Sequence, residues 1–158
     1  ALGDRPVVVL AAPGLVTGLH GRWILSLLGR PLPRSWHALT IGGRRLLIRR
    51  FDARTLEVST VGQAMHDQPQ ETLFRPPPQA LHVGDQIDVG PFTARVLHER
   101  PGQGPASVHF EFHAPLEETG VVFLVGGDQG LRPFALPPEG KAVLVPPPVL
   151  PGHQPHGG

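Results

Sequence analysis

Between Leu81 and Phe112, apolar and polar residues alternate in short runs, and each run ends in a ready-made turn. Gly84-Asp85 precedes Gln86-Ile87-Asp88-Val89. Gly90-Pro91 precedes a run in which Phe92, Ala94 and Val96 alternate with Thr93, Arg95 and Leu97. Ser107 to Phe112 alternates again, with Val108, Phe110 and Phe112 on one side and His109 and Glu111 on the other. A period of two sends successive side chains to opposite faces of a strand, so one face can be buried while the other stays wet. Repeated with Gly, Pro and Asp at the breaks, the pattern restricts the chain to layered β structure.

The flanking sequence extends this reading. Pro6 to Ala12 is a continuous apolar run closed by Pro13-Gly14, the pattern of a strand buried on both faces. Gly21 to Gly29 carries Trp23, Ile24, Leu27 and Leu28 at helical spacing, with Gly29 as the stop, and predicts one short helix. Ser35 to Ile41 and Arg44 to Phe51 flank Gly42-Gly43, which predicts a hairpin. Leu56 and Val58 mark a further strand, and Val121 to Val125 another. Leu131 to Leu136 and Lys141 to Val145 are expected to pair around Pro137-Pro138-Glu139-Gly140. Turn signals recur every 8–12 residues or so, as in sandwiches and barrels. The predicted fold is mainly β: an antiparallel β-sandwich or partly open barrel with one short N-terminal helix. Residues 1–150 form a single β-rich domain, and 151–158 a disordered Pro/Gly/His tail. Val61 to Pro78 reads as a long Pro-rich connection, a docking surface or a spacer.

With 158 residues the chain is long enough for one domain with a substantial core. Its 20 Gly and 20 Pro are spread between apolar runs, so they read as turns. The lack of cysteine excludes disulfides and thiolate metal sites. Residues 1–60 carry nine basic and three acidic side chains, and residues 61–158 five and ten. Such a division either neutralises itself within one fold or presents a basic face to an anionic partner. Pro6 to Leu28 is the most apolar stretch, but Pro13, Gly14, Gly18, His20, Gly21 and Arg22 interrupt it, so no membrane span is predicted. The chain begins at Ala1, which fits a start after processing or a piece of a longer protein.

Among candidate sites, His109, Glu111 and His113 share one face of a strand, neighbours about 6.6 Å apart at Cα. Adjacent members could share a metal ion, with His98 or Glu99 as a further ligand. The plainer alternative is a solvated polar face. Arg45 and Arg49 fall on one face of the predicted hairpin and Arg44 and Arg50 on the other. They serve as a charged sheet edge or as an anion contact. His153 and His156 lie in the tail. Nucleophile and phosphate-loop motifs are missing from the sequence, and no motif calls for a cofactor. Asp85 reads as a turn-closing residue rather than a catalytic carboxylate. The small net charge and the lack of Tyr argue against nucleic acid.

Several short motifs carry resemblances to known families. Asp4 to Pro13, Ser35-Trp36-His37, Arg54-Thr55-Leu56-Glu57 and Val83 to Gly90 resemble the soluble C-terminal region of large, uncharacterised multi-span membrane proteins of myxobacterial type. That resemblance implies a membrane-tethered β-rich domain and no activity. Ser35-Trp36-His37-Ala38 and Leu81 to Val96 resemble segments of forkhead-associated domains, β-sandwiches that read phosphothreonine. This second resemblance implies phosphate contacts from Ser35 and Arg30, although this sequence lacks the arginine that follows the serine in that family. The resulting expectation is a non-enzymatic accessory or interaction domain, the soluble part of a larger membrane-bound protein. Its partner is another protein or the parent chain, with a phosphopeptide-binding module or a metal-binding β protein as alternatives.

Overall fold

Apolar residues with period two make strands that must bury one face, and here two sheets bury theirs against each other. The computed structural model describes residues 2–41, 45–62, 82–101 and 104–147. In chain order its elements are β1 (Val7–Ala11), α1 (Leu15–Leu27), β2 (Trp36–Ala38), β3 (Arg45–Arg50), β4 (Thr55–Val61), β5 (Gln86–Asp88), β6 (Phe92–Arg100), β7 (Gly104–Phe112), β8 (Val122–Gly127), β9 (Gly130–Pro133) and β10 (Ala142–Val145). One sheet has the order β10-β3-β4-β7-β6-β5 and is antiparallel throughout. The other has the order β2-β1-β8-β9. The protein is a mainly β sandwich whose sheets do not close into a barrel.

Between the sheets lie Val8 and Leu10 of β1, Leu46 and Ile48 of β3, Leu56 and Val58 of β4, Phe92 and Val96 of β6, Val108, Phe110 and Phe112 of β7, and Phe123 and Val125 of β8. Phe92 is the hub: its ring lies 5.7 Å from Phe110 and 5.1 Å from Phe112, while Phe112 meets Phe123 of the opposite sheet at 5.8 Å. Tilted and edge-on rings at these separations add to the burial term.

Strand β1 explains the apolar run. It is buried on both faces, because Val8 and Leu10 point to the six-stranded sheet and Val7 and Val9 to a second cluster beneath α1. Its neighbours β2 and β8 are both parallel to it. The β1–α1–β2 segment is therefore a crossover, the connection that parallel strands require. This corrects the expected hairpin about Gly42-Gly43: β2 pairs with β1 in the smaller sheet, and β3 pairs with β4 and β10 in the larger. Val7 N donates to Ser35 O and Leu39 N to Val9 O, so β1 takes the bonds that a hairpin would have used. The expected Leu131–Lys141 pairing is corrected in the same way. β9 joins β8, while β10 crosses to pair with β3, after a stretch where Pro137 and Pro138 offer no donors.

The helix runs from Leu15 to Leu27, beginning earlier than the predicted Gly21. Its end is as expected. Gly29 adopts φ +62°, its N–H donates to Ser26 O and the Arg30 N–H to Leu25 O, closing the last turn as a left-handed glycine cap. The early turns contain Gly18 and Gly21, poor helix formers, and their role is steric. A Cβ on Gly21 would stand 2.1 Å from the Trp36 ring, and one on Gly18 2.9 Å from Ile41. Trp36 Nε1 donates to Gly18 O at 2.9 Å, fixing the helix to β2. The molecule is thus three layers: helix, smaller sheet, larger sheet. The tail 151–158, the greater part of the Val61–Pro78 connection, Gly42, Gly43 and Arg44 lie outside the described residues.

Candidate functional site

In β3 the buried residues are Leu46 and Ile48, so Arg45, Leu47 and Arg49 stand on the outer face of the six-stranded sheet. Strand register carries that face across five strands: Arg49 lies opposite Glu57, Glu57 opposite His109, His109 opposite Arg95, and Arg95 opposite Gln86. Beside this row runs a second, in which Glu111 lies between Thr55 and Thr93, and Thr93 faces Asp88.

These rows line a concave cup of about 400 Å³ whose walls include Phe51, Asp52, Thr93, Arg95, His109 and Glu111. His109 Nε2 and Glu57 Oε2 are 3.0 Å apart, each side chain about three-quarters buried, a cross-strand pair that fixes the imidazole. The His109 ring also meets Phe51, 5.1 Å between centroids, and the Arg49 guanidinium lies 6.0 Å from the Phe51 ring centre. With its amide turned so that oxygen faces the guanidinium, Gln86 accepts from Arg95 Nε at 2.7 Å. That contact orients Arg95 without neutralising it.

Asp52 supplies negative charge on the β3–β4 turn. Its Oδ1 accepts from Arg54 N at 2.8 Å. This backbone bond holds the carboxyl below its usual range, against a smaller opposing effect of burial; Thr55 and the nearby His109 act in the same direction as Arg54. The cup therefore sets the Arg95 cation and the His109 imidazole beside the carboxylates of Asp52 and Glu111, with Phe51 as an apolar wall.

The residues singled out in the sequence fall in different places. His109 and Glu111 both line the cup, whereas His113 lies past the end of β7, where its N–H donates to Pro91 O and its carbonyl accepts from Arg54 Nη1. Among the described residues no group of three His, Asp or Glu is arranged to hold a metal ion. Of the further ligands considered, Glu99 is bonded to His82 at 3.1 Å. Arg45 and Arg49 share the outer face as expected, while Arg50 turns inward and pairs with Glu117, its side chain 12% exposed. Arg30 and Ser35 lie on the connection between α1 and β2, Arg30 at the helix end, where its N–H donates to Leu25 O, and Ser35 beside β1, where its carbonyl accepts from Val7 N. Asp85 closes a turn through His82 N at 2.8 Å, as its position predicted.

Sequence reasoning missed Glu57, Arg95 and Asp52. Their signal is the register of four strands, which is not local. A second cavity, about 430 Å³ at one end of the sandwich, includes Arg5, Arg50 and Phe134 in its lining. Its cations serve the fold, Arg5 Nε donating to Gly120 O at 2.9 Å and Arg50 pairing with Glu117. No protein-family model, curated protein or solved structure significantly matches this chain. Among the described residues no helix is long and apolar enough to cross a membrane.

Proposed function

We propose that this chain is a non-enzymatic interaction domain, the soluble part of a larger membrane-bound protein, and that it receives a segment of a partner protein in the cup on the six-stranded sheet. The observation that carries this reading is the juxtaposition of Arg95 and His109 with Asp52 and Glu111 around the exposed Phe51. Such a cup suits a peptide segment that brings a carboxylate to Arg95, an ammonium or guanidinium to Asp52 and Glu111, and an apolar side chain to Phe51. The side chains are held in advance by Glu57, Gln86 and the β3–β4 turn, which lowers the ordering cost of binding.

The test is a panel of short peptides of varied charge pattern, titrated into isotope-labelled protein and followed by amide shifts. Peptides with an acidic and a basic residue a few positions apart should shift amides of β4, β6 and β7. Arg95→Ala should weaken them about tenfold or more, the range for a charge-assisted hydrogen bond. Shifts confined to another surface, or indifference to Arg95→Ala and Glu111→Ala, would remove the cup from the account.

A further inference from the structure

We propose that the outward face of α1 docks on an anionic lipid surface. The helix spends its inner side on the smaller sheet through Gly18 and Gly21. The backbone leaves helical geometry at His20, φ −112° and ψ 18°; beyond this kink Trp23 and Leu27, four residues apart, share one outer face, and Val16 is exposed on the turn before it. Val16 is 60% exposed, Trp23 61% and Leu27 66%, and Leu28 follows at 67%. Large apolar side chains exposed together, Trp23, Leu27 and Leu28 at the end of one helix, mark an interaction surface rather than ordinary scatter.

Charge selects the occupant. From Arg5 to Phe51 the chain contains no Asp or Glu. Arg22 on the helix and Arg30 at its end are both exposed. An apolar stripe with Trp, edged by Arg and free of carboxylates, is the make-up of a helix that lies flat in the headgroup region. The indole settles at that level, and guanidinium groups pair with lipid phosphates. The face is the convex side of a short helical segment that follows the kink at His20. A fluid surface moulds to such a shape, whereas a protein partner must bring a matching groove. The contact lies on the membrane and does not cross it. It is independent of the cup, which faces the opposite way.

The test uses the whole chain with vesicles of phosphatidylglycerol and phosphatidylcholine, against vesicles of phosphatidylcholine alone. The protein should sediment with the anionic vesicles and release with salt. Trp emission should shift to the blue, and Trp23→Phe should remove the shift while leaving binding in place. Trp23→Gln with Leu27→Gln should abolish sedimentation, and Arg22→Gln should weaken it about fivefold. Both Gln changes are at exposed positions, and an unchanged circular dichroism spectrum shows that the variant is folded. Failure to bind anionic vesicles, or binding that the Gln variants do not affect, overturns the proposal. So does a concentration-dependent dimer that the double variant dissociates, since a second copy would then cover the face.

Discussion

Gly21 decides how closely the helix can approach the sheet, and the choice runs against helix propensity. Alanine there would gain about 1 kcal/mol in an isolated helix. Its Cβ would instead meet the Trp36 ring at 2.1 Å, which the ring cannot accept without moving. Gly21→Ala is therefore expected to destabilise the protein by about 1–3 kcal/mol in urea unfolding, with a changed Trp36 emission. A neutral or stabilising result would mean that the helix sits further from β2. A second residue makes a pH prediction. Burial lowers the pKa of His37, its Nε2 is buried without a hydrogen-bond partner, and its ring stands edge-on to Phe92 at 5.6 Å. Above pH 6.5 both folded and unfolded chains hold this ring neutral. As pH falls through 6.5 the unfolded chain takes up the proton first, so stability falls until the folded pKa is passed. His37→Phe should flatten that part of the stability profile, and an unaltered slope would assign it elsewhere.

At the scale of elements, the six-stranded sheet depends on β6 and β7, whose apolar residues meet both sheets. Phe92→Ala removes the ring that joins Phe110 to Phe112 and should cost about 3–5 kcal/mol, read as a lower urea midpoint with an unchanged slope. What was legible in the sequence follows the same division. Strands β5, β6 and β7 were readable because alternation and turn residues lie within a few positions of each other. The double burial of β1 was readable in Val7 to Leu10, but its parallel neighbours were not, since they arrive through a helix and from more than a hundred residues away. The first half of α1 was hidden by Gly18 and Gly21, whose purpose appears only once Trp36 and Ile41 are packed against them. In the cup, period two put His109 and Glu111 on one face. Their companions Glu57, Arg95 and Asp52 depend on which strands become neighbours, and a single sequence does not encode that locally.

At the scale of the molecule, the layers separate two surfaces. The helix covers the smaller sheet and turns its apolar stripe outward; the larger sheet turns its charged cup the other way. Both sheets share one core, so heat or urea should unfold them in a single transition seen alike by far-ultraviolet circular dichroism and by Trp emission. Two separate transitions would mean that the helix layer is an independent unit. The central claim is that one surface is given to the membrane and the opposite one is left free for a partner. The chain has no cysteine, so single spin labels can be placed without background. The most direct measurement compares Leu27→Cys and Thr93→Cys, each spin-labelled and bound to anionic vesicles, for collision with oxygen from the bilayer and with a water-borne nickel complex. The account predicts that the label at 27 collides mainly with oxygen, and the label at 93 mainly with nickel. A label at 27 that stays in water, or a label at 93 that enters the bilayer, would contradict it.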